Sequence, residues 1–292
     1  MIAAEILPAD TWDIAKLRDH IGREAFATDR ITQRVAAQLW DVIGADVEPS
    51  DDLAPLGIQW CLATPDVALD GLQEDGHPRT EHTILPPVPS ARRMWAGGEI
   101  VWHDALRIGD EVTRRSVVTD VSIKEGRSGV LCFVTVRHDF ATGRGAAITE
   151  RQDIVYKQAD AGDRPGRRGL VVPATPTGTV LQRLKTDPIR LFRYSALTGN
   201  AHRIHYDHPY ATGVGGYPGL VVHGPLQATL LMLAAETLAD QPPSRLGYRA
   251  VSPIFCGHDL IVSCVGTAPA ASLWTSGGGN VGMRADATWG PT

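Results

Sequence analysis

"LVVHGPLQATLLMLAAETLA", residues 220–239, decides the architecture. Leu220, Val221, Val222, Leu226, Leu230, Leu231, Met232, Leu233 and Leu238 spread around most of a helical circumference. A helix is expected from about Gly224 to Ala239, and a helix apolar nearly all round must be buried on most of its sides. His223, Pro225 and Gln227 interrupt the run, which is too short and too polar to span a bilayer. A curved antiparallel sheet wrapped around this one helix would supply the burial it needs.

The flanking segments fit such a sheet. Downstream lie four strand-like runs, "YRAVSPIF", "DLIVSCVGT", "ASLWTS" and "NVGMRADATW". Between residues 92 and 156, "EIVWH", "EVTRRSVVTDVSI", "VLCFVTVRHDF" and "AAITERQDIVY" are equally rich in β-branched and aromatic residues, with turns at Gly109-Asp110, Glu125-Gly126 and Thr142-Gly143. Both series carry a similar turn into their second strand, "IGDEV" at 108–112 and "CGHDLIV" at 256–262. Its recurrence at the same place indicates an internal duplication. The fold expected is α+β, a double hot dog: two antiparallel sheets, each wrapped around a central helix. Residues 11–43 read as helical, with apolar positions at Trp12, Ile14, Leu17 and Ile21, then Ile31, Val35, Leu39 and Ile43. A glycine- and proline-rich region with a short helix follows. The boundaries read as an N-terminal hot dog with leading helices at 1–156, a polar linker at 157–176 and a C-terminal catalytic hot dog at 177–292.

Composition narrows the function. The chain of 292 residues is 43% apolar and 21% charged, with a net charge of −5. That balance suits a soluble globular protein and argues against nucleic-acid binding, which needs a basic face. "MIAAEILPADTWDIAKL" has no basic leader followed by an apolar core, so no secretory signal is expected. Cys61, Cys132, Cys256 and Cys264 form no CxxC pair and read as reduced thiols. A cytoplasmic location is the expectation.

Residues 194–223 concentrate the chemistry-bearing side chains. His202, His205, His208 and His223 have spacings seen in zinc sites, but Asp207-His208-Pro209 breaks a regular helix and no HExxH or cysteine pair completes a ligand set. No metal is expected. Histidines over an apolar helix can also simply satisfy backbone groups. The third reading is catalytic. Ser195, Thr198, Gly199 and Asn200 form a polar turn, and His205 lies five residues beyond Asn200. Gly224 opens the buried helix with its backbone N–H unpaired. A base, a water-holding amide and an oxyanion donor then lie on two adjoining segments.

"YSALTGNAHRIHYDHPYA", 194–211, resembles the signature of the MaoC-like (R)-specific enoyl-CoA hydratases. Tyr194 matches its aromatic position, Thr198-Gly199 its polar-glycine pair, His205 its catalytic histidine and Ala211 its small residue. Two departures stand out: Asn200 replaces the catalytic aspartate, and His202-Arg203 replaces Asn-Pro. With the "PGLVVHGPL" helix start, this variant is similar to the branch containing mesaconyl-C4-CoA hydratase, itaconyl-CoA hydratase and mitochondrial hydroxyacyl-thioester dehydratase type 2. "SARRMWAGGEIVWHDALRIGDEV", 90–112, looks like the N-terminal hot dog of that branch.

The resemblance implies a hydro-lyase acting on a short branched, dicarboxylic enoyl-CoA, with Asn200, His205 and Gly224 catalytic. Arg92, Arg93, Trp95, Arg203, His223 and Arg249 are the candidates for binding the acyl group and CoA, an arginine fork being the natural partner of a carboxylate. Asp207, two residues from His205, would point away from it on a helix. One site per chain is expected, since the first half lacks both the Asn-x₄-His spacing and the His-Gly helix start. No dissociable cofactor is implied, because the thioester is itself the electron sink, and a homodimer is the family expectation. Within the same class the alternative is an (R)-3-hydroxyacyl-thioester dehydratase acting on ordinary or larger acyl chains; two competing classes are a hot-dog thioesterase and a non-catalytic acyl-binding module. A thioesterase needs a carboxylate near the helix start, yet the helix offers none before Glu236.

Overall fold

The β-branched runs pair into a single antiparallel sheet of ten strands. The computed structural model describes residues 12–44, 52–89, 91–126, 129–158 and 175–290. In chain order the elements of the first half are α1 (Ile14–Arg18), β1 (Glu24–Arg30), α2 (Gln33–Ile43), β2 (Ala91–Trp102), β3 (Glu111–Gly126), β4 (Gly129–Thr142) and β5 (Gly145–Gln158). The second half contributes β6 (Thr179–Lys185), α3 (Pro188–Leu197), α4 (His208–Gly213), α5 (Gly224–Thr237), β7 (Arg245–Ala250), β8 (Asp259–Thr267), β9 (Ala270–Gly277) and β10 (Asn280–Thr288).

The strand order is β1-β3-β4-β5-β2-β7-β10-β9-β8-β6. Read from each edge inward, both halves follow one scheme: edge strand, then second, third and fourth strands of a meander, then the strand at the seam. β2 and β7 close the seam, from Gly97 opposite Arg249 to Val101 opposite Arg245. The repeated turn holds too, with Gly109 at φ +94° before β3 and Gly257 at φ +97° before β8. The duplication read from the sequence is therefore present in the topology.

The halves differ in what fills them. In the second half α5 is buried continuously from Leu226 to Ala235 and packs against β7, β8, β9, β10 and α2. Each leucine enclosed there contributes about 2 kcal/mol. The two polar side chains within that buried stretch are satisfied: Thr229 Oγ1 donates to Pro225 O at 3.0 Å, and Thr275 Oγ1 donates to Gln227 Oε1 at 2.7 Å. In the first half the corresponding stretch is irregular, with single 3₁₀ turns at Ile58–Cys61, Leu69–Gly71 and Thr80–His82. A second, smaller hydrophobic cluster (Trp12, Leu17, Leu85, Val118, Val134 and Tyr156 among its members) packs at the far end of that half. The first half thus has no counterpart of α5 among the described residues.

Three expectations change. The continuous helical reading of 11–43 is broken by β1, which pairs with β3 from Glu24 opposite Val117 to Arg30 opposite Glu111. The signal was the gap between Ile21 and Ile31, where the helical apolar phase lapses. Leu220, Val221 and Val222 precede α5 instead of belonging to it; Val221 bridges to Phe255, and Val222 N–H donates to Ile254 O. The linker expected at 157–176 lies outside the described residues from 159 to 174, while its first two residues end β5.

Candidate active site

Several turns between α3 and α5 are fixed by local hydrogen bonds. Asp187 caps α3 by accepting from Arg190 N–H, and beyond the helix Gly199 adopts φ +59°. Asn200 Oδ1 then accepts from His202 N–H at 3.0 Å, an Asx turn that leaves the Asn200 Nδ2 group as a donor. A 3₁₀ turn over Arg203–His205 follows, and Asp207 caps α4 by accepting from Tyr210 N–H. Val221 N–H donates to Ile204 O, which ties the loop to the start of α5.

His205 emerges from this frame buried and oriented. Its Nδ1 lies 2.8 Å from Val221 O. A carbonyl oxygen only accepts, so Nδ1 carries the proton and Nε2 keeps its lone pair. Burial lowers the pKa of His205 to about 4, leaving the imidazole neutral at physiological pH. The His223 ring stacks on it at 3.8 Å between centroids, and Ser195 Oγ lies 2.8 Å from His223 Nε2. His223 is wholly buried, so the structure makes it the plate beneath His205 instead of a contact for CoA.

Gly224 begins α5, where its N–H has no intrahelical acceptor. Trp95 from β2 lies flat against it: a Cβ on Gly224 would sit 2.7 Å from Trp95 Cε3. Trp95 stacks on Tyr248 at 4.7 Å and meets the edge of Trp60 at 5.6 Å. Trp60 Nε1 and Gln152 Nε2 both donate to Glu150, a wholly buried carboxylate whose pKa burial raises to about 7.

The first half also reaches the Asn200–His205 loop. Asp75 O accepts from Arg203 N–H at 2.9 Å, and a Cβ on Gly76 would lie 1.8 Å from Ala201 O. Only glycine permits that approach. Beside it, His77 Nδ1 donates to Asp75 Oδ2 at 2.8 Å. The His77 ring lies 4.2 Å from that of His202, which meets His205 edge-on at 5.4 Å. Burial lowers the pKa of His77, and burial with the neighbouring histidines lowers that of His202 to about 2. Burial is the largest influence on Asp75 and would raise its pKa, but the hydrogen bonds from the His77 ring and backbone N–H, with the charges of His77 and His202, together outweigh it and hold the carboxylate at about 2.

The expected arginines separate into distinct places. Arg93 lies two residues before Trp95 on the same face of β2, and its charge reaches both His77 and His202. Among the described residues its side chain has no hydrogen bond or ion pair. The charge of Arg92 reaches Tyr210 and Tyr217. Arg203 is committed elsewhere: it bonds Asp207 at 2.8 Å and Glu74 O at 3.1 Å and lies over the Tyr210 ring. Arg249 is not brought to the site. β7 turns Leu246 and Tyr248 inward, so Arg249 faces an outer groove with Asp120, Lys124 and Arg284.

The four histidines weighed as metal ligands do not converge, since His208 is exposed at the start of α4 and His205 Nδ1 is bound to the backbone. A different group, Asp75, His77 and His202, brings ligand atoms within 4.8 Å of one another. The Arg93 charge beside them disfavours a cation. Asp75, His77, Trp60 and Glu150 escaped sequence reading. They come from the first half, and only the glycine of Asp75-Gly76-His77 hinted at a tight approach.

Residues 57–256 match the hydroxyacyl-thioester dehydratase type 2 family. The chain belongs to this family. It is 40% identical over 238 residues to the mesaconyl-C4-CoA hydratase of Chloroflexus aurantiacus, covering 80% of this chain and 84% of that enzyme. Among solved structures, a MaoC-like dehydratase from Phytophthora capsici superposes with a TM-score of 0.69 at 16% identity, over 96% of this chain and 99% of its own. A conserved hypothetical protein of Mycobacterium tuberculosis, described as a double hot dog, superposes with a TM-score of 0.54 at 12% identity over 92% and 96%. The family's α+β double hot dog is the fold of this chain, and the chain is a hydratase/dehydratase of thioester substrates. Among the described residues no helix is long and apolar enough to cross a membrane.

Proposed function

We propose that this hydroxyacyl-thioester dehydratase type 2 family member reversibly hydrates a short branched enoyl-CoA carrying a second carboxylate, of the mesaconyl-C4-CoA type. The observation that carries the reading is the lone pair of His205 Nε2, left open by the Val221 carbonyl on a ring that stacks on His223, the residue before Gly224 at the start of α5.

In hydration, a water held by Asn200 Nδ2 loses a proton to His205 Nε2 as its oxygen bonds to Cβ. The π electrons move to the thioester oxygen, where the Gly224 N–H and the α5 dipole oppose the charge. His205 then returns the proton to Cα, so one water is added and the base is restored. Dehydration is the reverse. A positioned acid–base group is worth about 10²–10⁴ in rate and an oxyanion donor about 10²–10³.

Two observations support a dicarboxylic acyl group. One is the 40% identity to the mesaconyl-C4-CoA hydratase. The other is Arg93, an unpaired cation facing the histidine cluster, which suits a carboxylate beside the reacting carbons. No dissociable cofactor takes part in this scheme. A cytoplasmic homodimer completes the proposal.

The test is loss of enoyl-thioester absorbance with mesaconyl-C4-CoA, itaconyl-CoA and crotonyl-CoA. Turnover of a dicarboxylic substrate, abolished in His205→Ala, is expected. Arg93→Met should lose about 10- to 100-fold on the dicarboxylic substrate and little on crotonyl-CoA. Turnover of crotonyl-CoA alone would move the assignment to ordinary (R)-3-hydroxyacyl thioesters. Thiol release without hydrated product would move it to a thioesterase.

A further inference from the structure

The family signature places a carboxylate where this chain has Asn200, and an amide cannot accept a proton from water. The N-terminal half supplies a pair that can take over the acceptor role. Asp75 Oδ2 accepts from His77 Nδ1, so His77 presents an unprotonated Nε2, as Val221 O makes His205 do. This geometry lies at the catalytic loop itself. Residues 74–76 are pressed against Ala201 and Arg203, and the His77 ring touches that of His202, next to His205. His77 also lies close enough to His205 for its charge to act on that imidazole.

We propose that the Asp75–His77 dyad is the second acceptor of the catalytic water, so that the active site is built from both halves of the chain. The water would donate one hydrogen to His205 Nε2 and the other to His77 Nε2, while Asn200 Nδ2 donates to its oxygen. The proton lost as the O–Cβ bond forms goes to His205 and returns to Cα. The second hydrogen stays on oxygen as the hydroxyl of the product, held by His77, so the atoms and charges balance. Asp75 acts through His77 as a positioning residue, holding the tautomer that accepts.

The inference rests on the hydratase reading, and the experiment separates the two. Steady-state hydration of the three-substrate panel is measured for the wild type, Asp75→Asn, His77→Ala and His77→Gln. Asp75→Asn is the decisive variant. The amide oxygen it introduces can still accept from the His77 backbone N–H, which Asp75 Oδ1 does at 2.9 Å, so the turn is kept. The amide nitrogen would donate to His77 Nδ1, forcing the proton onto Nε2 and turning an acceptor into a donor.

The expected result is a fall in kcat of about 10²–10⁴-fold for Asp75→Asn and His77→Ala, with KM changed less than about threefold. Added imidazole should restore part of the His77→Ala activity, and His77→Gln should retain more than alanine. Variants within about threefold of an active wild type would overturn the dyad and leave the hydratase reading standing. So would losses confined to KM, or an activity abolished by chelator and restored by Zn²⁺. A wild type silent on the whole panel would take the hydratase reading down, and the dyad with it.

Discussion

Buried ionisable side chains set the acid response of this protein, and they do not all pull the same way. Burial lowers the pKa of His138 and of His205 to about 4, that of His202 to about 2, and that of His223 well below 6.5. A histidine whose folded pKa is depressed contributes stability that is present above its unfolded value and lost as pH falls below it. For His205 the loss is about 3 kcal/mol, accumulated between pH 6.5 and pH 4. Glu150 has the opposite sign. Its folded pKa is raised to about 7, so its contribution is fully present below pH 4.5 and lost as pH rises through 7. Glu150 cannot offset these histidines. Urea midpoints should therefore fall steadily from about pH 7 to about pH 4.5, with a shallower fall in His205→Asn, whose amide can still donate to Val221 O but cannot titrate. A midpoint independent of pH over that range would count against the buried neutral histidines.

α5 and the histidine-bearing loop before it were legible because their information is local. An all-round apolar helix with a His-Gly start, and a histidine five residues from a polar turn, need no partner to be recognised. β1 was not legible. All but one of its residues are exposed, including Phe26 at 67%, so no inside–outside alternation marks it as a strand. The irregular segment before β2 was equally silent, since Trp60 and His77 sit in 3₁₀ turns and loops without a period. The elements also interlock. Trp95 reaches Gly224 across the seam, so Gly224→Ala should push the ring or the helix start, lowering kcat at least about 10-fold with unchanged far-ultraviolet circular dichroism. Trp95→Leu in the same chain should recover part of that loss. Recovery would show that the clash, and not the lost glycine itself, is responsible.

At the scale of the whole molecule, the seam makes the halves interdependent. β7 pairs with β2 on one side and β10 on the other, and the main core cluster draws residues from both halves, among them Leu39, Ile100, Phe140, Leu230 and Val262. Residues 175–292 expressed alone would expose the β2-facing edge of β7 and part of that core, and an open apolar edge promotes aggregation. Size-exclusion chromatography should show aggregates for that fragment. Co-expression with residues 1–158 should yield a soluble one-to-one complex with hydratase activity. A monodisperse, active 175–292 fragment would contradict this interdependence.

The absent counterpart of α5 carries a consequence of its own. Two copies of one ancestral unit, each obliged to keep its helix and its base, would be held to the same sequence by the same task. Once both lie on one chain, a loss in one copy can be covered by the other. Among the described residues the first half lacks that helix, and an irregular loop there sets His77 against the second half's His202. Substrate range can then evolve by changing the rest of that loop while Asp75, His77 and the His205 segment stay in place.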